Sequence, residues 1–200
     1  VKSGGCHLKF YRGYIERLPK KEWDFHFFGK FCHRVLELFH RTTIDNPEKI
    51  KDPEFLSFAM AHQKDEGLKE FGEKLTEEQK LECFKIFDIY LAQFCELQEK
   101  ENVSQILAVE DEFYIDLDGK VLLQGVIDRI DIDHDGIRKC ADYKTAKDMN
   151  FLEKDDFQLL TYCFVDYLRH PESKKFRGSY IMLKHECQEI KFEYSPEKVI

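Results

Sequence analysis

No stretch of this 200-residue chain approaches the ~20 consecutive apolar residues that a membrane-crossing helix needs, so the sequence excludes a helical span and predicts no membrane partner. No signal-peptide layout is visible at its start. Paired-cysteine motifs are missing as well. The seven cysteines, at 6, 32, 83, 95, 140, 163 and 187, are odd in number and irregularly spaced, with nothing resembling C-x-x-C. That usage predicts reduced thiols and a cytoplasmic location. There is no internal repeat and no low-complexity linker. Nor is there an excess of positive charge: 31 Lys and Arg stand against 39 Asp and Glu, a net charge of -8. Taken alone, that balance argues against a nucleic-acid partner, because such proteins usually carry a basic surface. An enzyme that holds metal ions with carboxylates can nevertheless be acidic overall and bind phosphate through a local basic strip.

What is present is enough for a folded core. Hydrophobic residues make up 42% of the chain, aromatics 14%, and phenylalanine alone numbers 18, so burial can offset the chain entropy of folding. The expectation is one domain spanning 1–200, mostly helical over 1–104 and built on a sheet over 105–200. Val1 in place of Met, and Ser195-Pro196 close to the end, lead us to expect further sequence on both sides.

Phe28, Phe31, Val35, Leu38 and Phe39 recur at helical spacing over 25–39. Asp52-Pro53 opens a second helix, and Thr76 to Gln79 has the spacing of a capping box ahead of a third, running to about Leu97. At Ile106 the period becomes strand-like. Asp118-Gly119 and His134-Asp135-Gly136 then mark turns between three strands. Asp155 or Asp156 can cap a helix through Leu168, and Tyr180–Leu183 with Glu189–Tyr194 reads as a closing hairpin. The order predicts an α/β (α+β) fold, a mixed central sheet flanked by helices with an N-terminal helical elaboration.

The chemistry concentrates in three segments. Asp142 and Lys144 lie at i and i+2 on a predicted strand and share a face, which places a cation-holding carboxylate beside an ammonium. Phosphodiester hydrolysis needs both. The bare spacing is weak, since Glu78/Lys80, Asp118/Lys120, Glu172/Lys174 and Glu189/Lys191 repeat it. Asp128 supplies context, because it interrupts the apolar run Val126-Ile127-x-x-Ile130, where an unpaired charge is costly. A three-residue turn with Gly136 left-handed sets Asp128 opposite Asp142 on one face; a two-residue turn puts them on opposite faces. Two carboxylates ~4–5 Å apart repel by roughly 3–4 kcal/mol at an effective dielectric near 20, which calls for a cation. The plainer alternative pairs Asp128 with a neighbouring Arg. Gln158 and Tyr162, at i and i+4, share a helix face and by themselves read as an ordinary half-buried side. A lone helical His33 is more often a core or surface residue than a ligand.

Taken in order, Gly29-x-x-x-His33, Val109-Glu110, Gly125-Val-Ile-Asp128-Arg-Ile-Asp131, Ala141-Asp142-Tyr-Lys144-Thr145 and Gln158-x-x-x-Tyr162 resemble the RecB-like branch of the PD-(D/E)XK nucleases. That branch includes phage and CRISPR-associated exonucleases and helicase-linked domains. The resemblance covers about residues 6–194 and implies a restriction-endonuclease-like fold. It implies metal-dependent hydrolysis of DNA, single-stranded or end-containing duplex, by an exonuclease of recombination, repair or phage replication. A recombinase, helicase or CRISPR protein would be the partner. It casts His33, Asp128 and Asp142, with the Tyr143 carbonyl, as ligands of Mg2+ or Mn2+. Lys144 would position water or stabilise the transition state, Gln158 and Tyr162 would line the DNA side, and Glu110 ranks last as a supporting residue. The alternative within the same resemblance is a catalytically silent module that binds DNA or protein. Ile127 stands where Pro is usual, and Asp142 where Glu is commoner. Many relatives carry an iron–sulfur cluster; Cys6 sits where its first cysteine would be, but no three-cysteine group follows Tyr194, so either the cluster is lacking or its other cysteines lie beyond this sequence, and the expectation is that this chain has none.

Two further features need weighing. Asp131-x-Asp133-x-Asp135-Gly136 mimics the start of a calcium loop, but Arg138 at the eighth position and Asp at the twelfth make it a polar turn. Lys144, Lys147 and Lys154, or Arg169, Lys174, Lys175 and Arg177, could steer a phosphate backbone.

Overall fold

A computed structural model of the chain describes residues 24–99, 105–133, 135–149 and 157–199. Cys6, His134, Lys154, Asp155 and Asp156 lie outside the described residues.

Among the described residues, three α-helices precede the sheet: α1 (Asp24–Asp45), α2 (Pro53–Phe71) and α3 (Glu77–Glu99). Their starts follow from local chemistry. Asp52 Oδ1 accepts the Glu54 and Phe55 amides at 3.0 and 3.2 Å, with Pro53 in the first turn where no amide is needed. Ahead of α3, the Thr76 amide donates to Gln79 Oε1 and the Gln79 amide to Thr76 Oγ1, closing the expected capping box.

The sheet contains β1 (Gln105–Leu117), β2 (Val121–Ile132), β3 (Arg138–Lys144), β4 (Phe176–Met182) and β5 (Gln188–Tyr194), side by side in chain order. Only β3 and β4 are parallel, and α4 (Phe157–Arg169) makes the crossover between them. A short α5 (Pro196–Val199) follows β5. Helices α1–α3 cover one face through Phe31, Val35, Phe39, Met60 and Phe87, packed on Val109, Ala141, Tyr143 and Ile181. On the other face, Leu159, Cys163 and Val165 of α4 pack on Ile127, Ile130, Phe176 and Tyr180. Each buried Val, Leu, Ile, Phe or Met among them contributes ~1.5–3 kcal/mol. The fold is therefore the expected mixed sheet between helical layers. No helix among the described residues is long and apolar enough to cross a membrane.

Strand β4 begins four residues before the expected Tyr180, because Arg177 and Ser179 interrupt its apolar pattern. All seven of its residues are nevertheless buried, as befits a parallel strand covered on both faces. Arg177 is tolerated there because Asp133, Asp135 and Glu193 surround its guanidinium.

Two departures from regular strand geometry shape the centre of the molecule. The turn after β2 is the three-residue kind: Asp133 N–H donates to Ile137 O at 3.0 Å and Gly136 has φ +77°. The pairs Ile130–Cys140 and Arg129–Ala141 follow from it, so Asp128 and Asp142 occupy the next rung. There the backbone ladder between β2 and β3 stops. In β1, Glu110 has φ +48°, a left-handed value inside a strand. Val109 and Phe113, four apart, consequently lie in different cores, while Ile127 and Ile130, three apart, lie in the same one. Regular alternation forbids both placements, so β1 and β2 each reverse face around Glu110 and Asp128.

Candidate metal centre and active site

Where the β2–β3 ladder ends, side chains take over its hydrogen bonds. The Tyr143 amide donates to Asp128 Oδ2 at 2.7 Å in place of a strand carbonyl. The Tyr143 carbonyl accepts from His33 Nε2 at 3.0 Å, and His33 Nδ1 lies 3.4 Å from Asp128 Oδ2. His33 thus reaches the end of β3 from α1. Burial works against its charge, but the hydrogen bond and charge of Asp128, with Asp142 and Glu110, outweigh it and lift its pKa above the usual value.

Ligand atoms of His33, Glu110 and Asp128 lie within 4.8 Å of one another. Glu110, ranked last from the sequence, is drawn in by its left-handed backbone at the rung opposite Asp128. The sequence signal for it was slight, a glutamate interrupting an apolar strand. Burial and then Asp128 push its pKa up to about 7, against the pull of His33.

Asp142 sits on the α4 side of this trio. Its Oδ1 accepts from Gln158 Nε2 at 2.7 Å, and Lys144 Nζ is 2.7 Å from its Oδ2. Lys144 Nζ also donates to Gln158 Oε1 at 2.8 Å, so one amide spans acid and ammonium. Burial first, then the Asp128 charge, raise Asp142 to about 6, although Lys144 and His33 oppose it. Gln158 Nε2 further contacts Tyr162 Oη at 2.8 Å. The structure therefore brings His33, Asp128, Asp142, Tyr143, Lys144, Gln158 and Tyr162 together and adds Glu110. The plainer pairing of Asp128 with Arg129 is not seen: Arg129 turns to the other face and pairs with Asp131 at 2.9 Å.

Gly125 earns its place in the motif by contact. A Cβ there would lie 2.7 Å from Phe113 Cζ, and the Phe113 ring stands edge-on to Tyr162 with centroids 6.1 Å apart. Gly125→Ala is expected to destabilise by about 1–3 kcal/mol through overpacking. Adding Phe113→Leu should recover part of the loss, as thermal melts of the single and double variants would reveal.

The donor set suits a divalent cation: the His33 imidazole and the Glu110 and Asp128 carboxylates cluster, with Asp142 beside them, and burial followed by the Asp128 charge makes Glu110 and Asp142 hold their protons unusually tightly. Glu110 and Asp142 bind a proton more strongly in the fold than in the unfolded chain. The associated stability is present below their unfolded pKa values and disappears as pH rises through about 6 to 7. Metal-free protein should accordingly melt about 2–6 °C higher at pH 5.5 than at pH 8. Saturating Mg2+ should flatten that dependence in a calorimetric pH series; an unchanged slope would argue against a cation there.

The expected basic groups fare unevenly. Arg169 is paired with Asp111, and Arg177 is enclosed by acids, so neither is free to steer phosphate. The calcium-loop mimic is likewise consumed, with Asp131 and Asp133 bound to Lys139 at 3.3 and 3.1 Å. Beside Lys144, a groove of about 880 Å³ is lined by Gly29, Lys30, Thr145, Lys147 and Lys184 among others.

A family model described as the PD-(D/E)XK nuclease superfamily matches residues 4–198 of the chain. No curated protein matches it.

Proposed function

The chain belongs to the PD-(D/E)XK nuclease superfamily, and from that membership we propose that it hydrolyses DNA phosphodiester bonds with Mg2+ or Mn2+, as an exonuclease of recombination, repair or phage replication. The observation that carries this reading is the meeting of two sets at the end of β3: the metal-ligating trio His33, Glu110 and Asp128, and the Asp142–Lys144–Gln158 cluster.

His33, Glu110 and Asp128 would hold the cation, with Asp142 bordering it from the α4 side. When bound, the cation supplies Lewis acidity at a phosphate oxygen and a more acidic water. The protein's own groups do the rest. Lys144 is aimed by Asp142 and Gln158, and its ammonium can orient an attacking water or meet the charge that develops on phosphate. Gln158 is fixed in turn by Tyr162. The groove bearing Lys30, Lys144, Lys147 and Lys184, with Glu78 and Glu82 also in its lining, carries an excess of positive side chains in an acidic protein. Of these, Lys184 is partly neutralised by Glu82 at 3.0 Å.

Labelled single- and double-stranded DNA, incubated with Mg2+ or Mn2+ and with a chelator control, tests the proposal. Metal-dependent release of mononucleotides or short oligonucleotides is expected. Binding without cleavage under every metal condition would instead point to a silent DNA-binding module.

A further inference from the structure

Tyr143 lies between Asp142 and Lys144 in the chain, yet its side chain points to the opposite face of the sheet. Its peptide groups serve the site: the amide holds Asp128 and the carbonyl meets His33. Its ring is buried at 4% exposure among α1 and α3 side chains. There Arg129 Nη1 donates to Tyr143 Oη at 2.9 Å and also to Tyr90 Oη. The two phenols lie 3.0 Å apart, and the guanidinium carbon sits 5.7 Å from the Tyr143 ring centre.

The charge at the centre of this group is secured. Burial opposes the Arg129 cation, but Asp131, with both tyrosines, more than compensates and raises its pKa well above the usual value. His40 Nε2 is 2.6 Å from Tyr90 Oη and 3.2 Å from Arg129 Nη1. Burial first and then Arg129 hold the His40 pKa well below its usual value, so the imidazole is neutral and accepts. The arrangement is closed and directional, with a fixed cation donating to two phenols.

We propose that Arg129 and Tyr90 act as positioning residues, clamping the Tyr143 ring from the face opposite the active site so that its amide holds Asp128 and its carbonyl holds His33 in place for metal. The need for such a clamp follows from the strand geometry. The backbone ladder between β2 and β3 has ended at Arg129–Ala141, so no strand carbonyl fixes the Tyr143 amide. The two peptide groups flanking the Tyr143 Cα are held on one side by the parallel ladder with β4 and are met from the β2 side by side chains alone, so a tilt of residue 143 displaces both its amide and its carbonyl. The inference rests on the nuclease reading only for its catalytic consequence.

Tyr143→Phe removes one hydroxyl and keeps the ring. By analogy with outer partners of metal ligands, it is expected to weaken Mn2+ binding about 3- to 10-fold and to lower kcat about 5- to 20-fold, with KM for DNA within about twofold. Tyr90→Phe, which leaves the Arg129–Tyr143 bond, should have the smaller effect. Arg129→Lys, which keeps a charge for Asp131 but loses the planar fork, should have the larger. In metal-free protein, hydrogen exchange at the residue-143 amide should accelerate about tenfold in Tyr143→Phe relative to β4 amides. Phe176→Leu, a core change on the other face, serves as a stability-matched control and should alter neither metal affinity nor that amide. Unchanged amide exchange and Mn2+ affinity in a folded Tyr143→Phe variant would overturn the clamp. A wild-type protein that neither binds Mn2+ nor cleaves DNA would overturn the nuclease reading instead, while the amide measurement would still decide the clamp.

Discussion

Asp142→Ala and Lys144→Ala are each expected to lower DNA cleavage by about 10³-fold or more, while the protein remains folded. The magnitude follows from removing a preorganised charge where phosphate charge develops, worth roughly 10²–10³ for a single donor, with disruption of the adjoining metal surroundings added for Asp142. The two variants should differ in stability in an informative way. The fold raises Asp142 to about 6, so its ionised form is disfavoured by burial and by Asp128 at neutral pH. Removing that carboxylate relieves repulsion, and Asp142→Ala should melt at or above the wild-type temperature. Lys144→Ala removes the ammonium 2.7 Å from that carboxylate and should melt slightly lower. If instead Asp142→Ala strongly destabilised the protein and cleavage fell only in proportion, Asp142 and Lys144 would be a structural ion pair. A cleavage assay paired with thermal melts separates the two cases.

Divalent-metal affinity should fall about 10- to 100-fold in Glu110→Gln, with cleavage partly restored by raising the metal concentration. Glu110 contributes one of the three clustered ligand positions, and its pKa near 7 marks a carboxylate that burial and the Asp128 charge destabilise more than His33 and Arg41 stabilise it. Its backbone strengthens the case. A non-glycine residue at φ +48° inside a strand costs on the order of 1 kcal/mol, and such strain concentrates at functional positions. Glu110→Gly should therefore raise the stability of metal-free protein while reducing metal affinity at least as much as Glu110→Gln. Isothermal titration with Mn2+ and thermal melts would measure both. Wild-type metal affinity in either variant would remove Glu110 from the site and leave its strained backbone without a purpose.

Much of the architecture was legible from local patterns because helix starts and strand faces are set by nearby atoms. The caps at Asp52 and Thr76 depend on side chains reaching amides two or three residues away; the turn rule offered two registers after β2, and Gly136 at φ +77° decided between them. Asp142, Lys144, Gln158 and Tyr162 could likewise be placed, since strand and helix periodicity assign faces directly. The start of β4 could not, because Arg177 is acceptable in a buried strand only once Asp133, Asp135 and Glu193, from other segments, are known to surround it.

The sequence by itself determined the sheet-and-helix order and the family of the chain, because hydrophobic period, turn chemistry and motif spacing act over short distances. Only the tertiary structure decided that Glu110 joins His33 and Asp128, that Arg129 serves the opposite face, and that Arg169 and Arg177 are taken up in ion pairs. Those outcomes depend on where two strands reverse face and one ladder stops. Such events arise from packing between distant segments and leave no periodic trace along the chain.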